Sequence, residues 1–293
     1  MTIRQRMLRT AGAARKLLRE SADRVVEFVR SRVRADGGIA GRGRKSDLYY
    51  TVFGLECLRA LGAGVPRESA AEYLKTYGDG AGLDLVHLSC LARAWADVAP
   101  EALEGLLGEA LAGRIEAHRA RDGGYGAKAG LSRSSAYGTF LALGALEDLG
   151  RPAAGPGEIV AALRGLRTPD GGFSNEPGAL RGSTTATAAV AVVFQHLGEP
   201  VETPLAAWIV ERAASVGGFV AAPGISIPDL LSTATALFAL KEIGIEVSGL
   251  REPCLDFVDS LWSSKGAFRG QWMDHALDCE YTFYGLLSLG SLA

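Results

Sequence analysis

No apolar stretch in this sequence reaches the 18 or so residues of a membrane-spanning helix, and residues 1–20 carry too many charges for a secretory signal peptide. Its four cysteines lack the spacing of a disulfide scaffold or a C-x-x-C motif, so we interpret them as buried thiols in a reducing, cytoplasmic compartment. No linker rich in serine and proline divides the chain. Without a membrane span, a disulfide scaffold or a linker, the chain is predicted to form one compact unit. Its 38 glycines predict many tight turns.

What the sequence does contain is a repeat. Gly171-Gly172-Phe173 is followed by Ser183, a helix N-cap type, and four residues later by Thr187 within an apolar run. The same elements recur as Gly123-Gly124-Tyr125 with Ser135 and Thr139, Gly217-Gly218-Phe219 with Asp229 and Thr233, Gly266-Ala267-Phe268 with Asp278 and Thr282, and, more loosely, Gly37-Gly38-Ile39 with Asp47 and Thr51. The paired glycines predict a turn, and the Ser or Asp predicts the start of the following helix.

A sixth, degenerate copy begins at Gly80, with Asp84 as the cap. Between the copies lie second helical patterns, which we expect over Glu68–Tyr77, Leu103–Arg119, Gly157–Leu166 and Leu205–Ala214. Each repeat of about 46 residues is therefore predicted as helix, glycine turn, helix.

Six such hairpins can stack into an open solenoid or close into a ring. The helices after the turns are unusually apolar, since residues 186–194 carry no charge, as expected of a buried inner ring. The last helix has no polar capping repeat, which an open solenoid needs. We therefore predict an all-α fold, a single (α/α)6 toroid over residues 21–293, preceded by a basic segment at residues 1–20.

Charge is concentrated at the N-terminus. Residues 1–45 contain 13 Lys/Arg and 4 Asp/Glu, a net charge of +9, whereas the whole chain has −2. Two interpretations stay open for residues 1–20: a solvated, partly frayed helix, or a segment that docks on an anionic membrane surface or an acidic partner.

The glycine turn with its aromatic residue, the polar loop, the cap and the apolar helix resemble the prenyltransferase/squalene-cyclase repeat. The residues that carry the resemblance are Asp122–Gly126, Asp170–Phe173, Gly217–Phe219 with Pro223-Gly224 and Asp229, and Asp278–Leu287. It implies a toroid whose inner helices surround an apolar cavity for isoprenoid chains. The repeat style looks most like the β subunit of protein prenyltransferases, which work with a separate α subunit.

In that family a zinc ion activates a cysteine thiolate of the substrate, and the implied ligands are an Asp-x-Cys pair and a histidine on inner helices. This sequence departs from that pattern, because Ser232 replaces the histidine and Glu280 stands where the cysteine would be. Asp278, Glu280 and His87 are the remaining ligand-like set, acceptable for zinc by chemistry but not by position in the ring. We therefore expect no cofactor, with zinc through these three residues as the alternative.

A diphosphate would suit the rim where the inner helices begin, since their N-termini converge there. Arg133 and Arg181 each precede a cap by two residues, where the resembled family has cations that hold the isoprenoid diphosphate. Tyr137, Tyr281 and Tyr284 are candidates to line the ligand site, while the alternative for both arginines is simple solvation above a loop.

Three functions remain open. The first is an isoprenoid-handling enzyme that transfers a prenyl group from an allylic diphosphate. The second is a non-catalytic module for an apolar ligand or a protein partner that has lost the zinc site. A terpene cyclase-like enzyme is the third, although the acidic Asp-x-Asp-Asp motif of that branch is missing. Nothing indicates nucleic acid as a partner.

Overall fold

The computed structural model describes all residues, 1–293, and its regular secondary structure is almost entirely helical. The helices are α1 Ile3–Gly12, α2 Arg15–Leu18, α3 Ser21–Arg32, α4 Leu48–Ala60, α5 Arg67–Lys75, α6 Leu85–Val98, α7 Leu106–Glu116, α8 Ala136–Asp148, α9 Pro156–Arg164, α10 Thr184–His196, α11 Thr203–Val210, α12 Leu230–Glu242, α13 Arg251–Ser260 and α14 Cys279–Ser291. Two antiparallel pairs of very short strands, β1 Phe219–Val220 with β2 Pro228–Asp229 and β3 Trp262–Ser263 with β4 Ala267–Phe268, lie in the last two glycine turns.

The helices form two concentric rings. The inner ring is α4, α6, α8, α10, α12 and α14, each packed on the next, and α14 packs against α4 to close the circle. The intervening helices α3, α5, α7, α9, α11 and α13 form the outer ring. The contact between the first and last inner helices confirms the predicted (α/α)6 toroid and excludes an open solenoid.

Each inner helix begins at its predicted cap. Asp47, Asp84, Ser135, Ser183, Asp229 and Asp278 each accept a hydrogen bond from a backbone N–H in the first turn of the helix that follows. Such a side chain satisfies a donor that the helix itself leaves free. Since all six caps lie at one end of the toroid, the inner helices are parallel, with their N-termini on one rim.

The two glycines of each turn have different roles. The positive φ belongs to the first glycine of each pair, such as Gly171 at 90° and Gly217 at 87°. The second glycine, Gly172, is needed for space, because a Cβ there would lie 2.6 Å from the Trp208 ring. Only at Gly218 does the second position also have positive φ.

The recurrent threonine ties each turn to its inner helix. The Thr187 hydroxyl accepts a hydrogen bond from the backbone N–H of Phe173 at 2.9 Å. Thr51, Thr139 and Thr233 make the same bond in their own repeats, to Ile39, Tyr125 and Phe219. These N–H groups are buried and would otherwise lack an acceptor, which explains the spacing of the repeat.

The N-terminal helix closes the other end of the ring. Helix α1 contacts α4, α8 and α14, and a Cβ at Gly290 would lie only 1.8 Å from the carbonyl oxygen of Thr10. Arg4 is buried and pairs with Asp97 and Asp148, both at 2.7 Å. The interpretation of residues 1–20 as a solvated, frayed helix is therefore wrong for α1, where Arg4 and Arg6 pair with carboxylates of the chain and Arg9 alone of the arginines is exposed.

No helix of this structure combines the length and the apolar character needed to cross a bilayer.

Candidate functional site

The inner ring encloses a cavity of about 260 Å³ that opens at the rim where the inner helices begin. Twelve of the sixteen residues that line it are hydrophobic, so its wall is mainly apolar. The lining comprises Met7, Tyr49, Tyr137, Phe140, Asn175, Thr185, Ala186, Ala188, Ala189, Val192, Leu231, Thr235, Phe238, Glu280, Tyr284 and Leu287. A concave apolar site with few polar groups is the usual form of a small-ligand site.

Small side chains on α10 create much of this space. Thr185, Ala188 and Val192 face the cavity at intervals of three and four residues, which places them on one face of the helix. Ala189 lies beside Ala188 on the same wall. The run of small residues therefore keeps this side of the ring open, whereas Phe140 and Phe238 line it from the neighbouring helices α8 and α12.

Met7 of α1 closes the cavity at its lower end. The helix is anchored by the Arg4 pairs with Asp97 and Asp148, and Arg93 forms two further hydrogen bonds, of 3.0 and 2.6 Å, to the buried Glu56. A layer of paired charges thus underlies the apolar cavity. Each charge in it has a partner, as buried ions require.

Most polar groups of the cavity lie at its mouth. The Tyr49 hydroxyl donates a hydrogen bond of 2.6 Å to the Glu280 carboxylate. Burial raises the pKa of Glu280 above its ordinary value, although the bond from Tyr49 favours the ionised form. Burial also raises the pKa of Tyr284, which keeps that hydroxyl neutral at physiological pH. The mouth therefore offers one acidic side chain between neutral phenols.

Tyr137 stands on the opposite side of the mouth. Its side chain lines the cavity, the residue is 43% exposed, and its backbone N–H donates to Asn175 Oδ1 at 2.9 Å. Burial raises the pKa of Tyr137 to about 12, so its phenol is protonated at neutral pH. Tyr137 and Tyr284 thus both line the cavity, and their contact with a ligand stays a prediction.

The third predicted tyrosine lies elsewhere. Tyr281 does not line the cavity; its ring lies against Gly270 and under the guanidinium of Arg42, 5.6 Å from its centroid. Arg42 also bonds to Asp278 at 2.8 Å, so Tyr281 belongs to the loop packing of the rim.

Neither predicted arginine reaches the cavity. Arg181 is exposed and donates to the carbonyl oxygen of Pro223 at 3.3 Å, beside Trp208 of the outer ring. Arg133 is exposed in the loop before α8. The lining of the cavity contains no arginine or lysine. Any role of these two side chains in holding a diphosphate would be played above the mouth.

The structure does not assemble the candidate metal ligands, since no three His, Cys, Asp or Glu side chains meet in a group that could hold a metal ion. Asp278 accepts from the Tyr281 backbone and from Arg42, and Glu280 accepts from Tyr49. His87 Nδ1 lies 2.8 Å from its own cap, Asp84. Each candidate has a local partner: Asp278 caps α14, Glu280 lies at the mouth, and His87 contacts the cap of its own helix.

Sequence reasoning missed the rule that organises the mouth. The residue two positions after the cap lines the cavity in five inner helices: Tyr49, Tyr137, Thr185, Leu231 and Glu280. The six caps were recognisable, so this offset could have selected Thr185 and Leu231 in advance. Met7 and Asn175 could not have been found this way, because α1 and the rim loops lie outside the helical repeat.

The chain belongs to the prenyltransferase alpha-alpha toroid domain family, which matches residues 4–77 and 145–292. A search of curated protein sequences finds no significant match.

Three solved structures show the same fold at low sequence identity. A protein geranylgeranyltransferase-I from Candida albicans, complexed with GGPP, has a TM-score of 0.70 and 12% identity, covering 92% of this chain and 90% of its own. A type II terpene cyclase from Scytonema, in complex with its substrate geranylgeranyl dihydroxybenzoate, has a TM-score of 0.68 and 13% identity, covering 95% and 97%. A glycosidase is similar at a TM-score of 0.56 and 12% identity, covering 97% and 96%.

Proposed function

We propose that the protein binds one isoprenoid chain in the central cavity, with the apolar tail towards Met7 and a polar head between Glu280 and Tyr137. The observation that carries this proposal is the distribution of polarity: a mainly apolar wall below, where the Thr235 hydroxyl donates to its own helix, and free hydrogen-bonding groups at the mouth.

The charge of the mouth favours a neutral head group. A carboxylate at Glu280 would repel a diphosphate, and no cation lines the cavity to offset that repulsion. An alcohol or phenol could instead donate to Glu280 and accept from Tyr137. The Scytonema cyclase gives a parallel, since the substrate named with it, geranylgeranyl dihydroxybenzoate, is not a diphosphate.

Prenyl transfer from an allylic diphosphate is the second candidate, and Arg133 is the observation that favours it. This side chain is exposed, forms no ion pair, and precedes α8, whose residue Tyr137 lines the mouth. A diphosphate above the mouth would meet Arg133 and the N-termini of the inner helices. GGPP in the geranylgeranyltransferase-I shows that another member of this fold accepts such a ligand.

Titration with a fluorescent geraniol analogue, competed by farnesol or by farnesyl diphosphate, tests both candidates. We expect saturable binding that Ala189→Phe abolishes, because the new ring fills the cavity. Ala161→Phe, on the exposed face of α9, is the matched control and should bind normally.

The competitors separate the head groups. If farnesol competes at least about tenfold better than farnesyl diphosphate, the neutral head group is supported. If farnesyl diphosphate competes better, and Arg133→Ala weakens its binding, the diphosphate is supported. Binding that survives Ala189→Phe would place the ligand outside the cavity and contradict the proposal.

A further inference from the structure

The surface around the cavity mouth carries most of the large hydrophobic side chains that the protein exposes. The segments that surround the mouth, here called the rim loops, are residues 40–46, 79–83, 126–134, 174–182, 220–228 and 269–277. Of eleven exposed large hydrophobic residues, six lie in four successive rim loops: Leu131, Leu180, Ile225, Ile227, Trp272 and Met273. Leu180 is 78% and Met273 80% exposed, so packing within the chain does not account for them.

The rim loops are also basic. They contain seven Lys/Arg and three Asp/Glu, a net charge of +4 in a chain whose total is −2. Of the three acids, Asp79 pairs with Arg114 and Asp274 pairs with Arg42. Lys128, Arg133 and Arg181 stand between the apolar side chains without an acidic partner. The face thus combines apolar anchors with free positive charge around an apolar opening.

We propose that this face, the rim loops with the cavity mouth at their centre, docks on the surface of a lipid bilayer that contains anionic headgroups. Apolar side chains would enter the interfacial region while the lysines and arginines contact the headgroups. The inference rests on the proposed function, because docking would bring the mouth to the phase in which an isoprenoid dissolves.

A bilayer fits this face better than a protein partner does. The apolar side chains stand one or two to a loop on four separate loops, and they surround an opening rather than forming one packed patch. A fluid interface adapts to such isolated anchors, whereas a protein interface needs a continuous, closely packed core. The basic residues of the N-terminal segment, such as Arg15 and Lys16, are exposed too, but neighbouring Leu17 and Leu18 are not.

Trp272 provides a built-in reporter. It is 40% exposed in the last rim loop, whereas Trp95 and Trp208 are buried at 4%. Tryptophan prefers the headgroup region of a membrane. Docking should shift its emission to the blue, and lipids with a quencher near the headgroup should quench it, while Trp272→Phe should lose this response without losing the docking.

Flotation with vesicles of neutral phosphatidylcholine, with and without about 30% phosphatidylserine, tests the proposal without any isoprenoid. We expect wild type to float with the anionic vesicles. The double variant Leu180→Ser/Met273→Ser, called the rim variant, should have a membrane partition coefficient at least about tenfold lower. Leu106→Ser, at the opposite end of the toroid and 84% exposed, is the control and should float like wild type.

The remaining outcomes are distinguishable. No flotation on any vesicle overturns the inference, as does flotation lost in Arg15→Ser/Lys16→Ser/Arg19→Ser but kept in the rim variant. Light scattering tests for self-association. If wild type self-associates and the rim variant does not, the face binds a second copy of the chain, and the membrane inference is overturned as well. Ala189→Phe should float normally and the rim variant should still bind the geraniol analogue, so the failure of one proposal is visible apart from the other.

Discussion

At the scale of single residues, the repeated threonine has the clearest structural role. The Phe173 N–H is buried and its acceptor is the Thr187 hydroxyl. Thr187→Val keeps the shape and removes the acceptor, so we expect the free energy of unfolding to fall by about 1–3 kcal/mol in denaturant titration.

Hydrogen exchange at the Phe173 amide separates this loss from repacking. Thr187→Ser retains the hydroxyl, so its Phe173 amide should stay protected while that of the valine variant exchanges faster. Equal exchange in the two variants would show that the bond does not hold the turn.

Glu280 gives a second prediction, on pH. Burial raises its pKa above the ordinary value of about 4.3, so the native state disfavours the carboxylate and loses stability as pH rises through this range. In the Glu280→Gln variant the side-chain amide would accept the Tyr49 bond without ionising. The melting temperature of Glu280→Gln relative to wild type should therefore increase between about pH 4 and pH 8.

The exposed Glu246→Gln is the control for that experiment and should show no such trend. A constant difference between Glu280→Gln and wild type across the pH range would mean that the mouth solvates the carboxylate fully.

At the scale of elements, the glycine turns allow backbone strain to be separated from packing. Gly171 and Gly217 have nearly the same φ, 90° and 87°. A Cβ at Gly171 meets only the Trp208 ring at 3.8 Å, whereas one at Gly217 would lie 1.9 Å from the carbonyl oxygen of Pro253. We expect Gly171→Ala to cost about 1 kcal/mol, through strain alone, and Gly217→Ala to cost clearly more.

Thermal and urea unfolding of the two variants measure that difference, which reports how tightly the turn abuts the outer helix α13. Equal losses would imply that the outer helix moves away at little cost.

At the scale of the whole molecule, Arg4 joins parts of the chain that are far apart in sequence. It bonds to Asp97 at the end of α6 and to Asp148 at the end of α8, and burial raises the pKa of Asp97 to about 7. Arg4→Met leaves both carboxyls buried without this partner, so we expect a loss of about 3–5 kcal/mol near neutral pH. Arg59 stays 3.2 Å from Asp97, but each carboxylate has lost its Arg4 partner. Protonation relieves that loss, which should therefore shrink as pH falls from about 8 to 5.

Arg9→Met is the matched control, because Arg9 is exposed on the same helix. Similar losses in both variants, or a loss for Arg4→Met that is independent of pH, would contradict the role of the ion cluster.

The ring could be predicted from the sequence because its signals are local. Caps such as Ser183 and turns such as Gly171-Gly172 recur at a fixed spacing, and each is satisfied within its own repeat. The fit of α1 could not be predicted in the same way. The carboxylates that Arg4 meets lie 93 and 144 residues away, and a helix with many arginines looks solvated until they are found.

In the candidate site, too, some residues could be predicted from their spacing and others could not. Tyr137 and Tyr284 follow from their places on inner helices, and both line the cavity. Arg181 and Arg133 lie at the same distance in sequence from their caps. Both are in loops, where the sequence spacing does not fix the direction of a side chain, and Arg181 donates to Pro223 instead.

The position of α1 has a consequence for biosynthesis. This helix precedes the ring in the chain, whereas one of its partners, α14, follows the other ring helices and is made after them. At about 5–20 residues per second, the ribosome needs roughly a quarter of a minute to a minute to supply that partner. Throughout this time Ile3 and Met7 have only part of their final surroundings, and the nascent chain exposes a basic, amphipathic helix. Chaperones that shield such helices should therefore matter more for the yield of this protein than for its stability once the ring has closed.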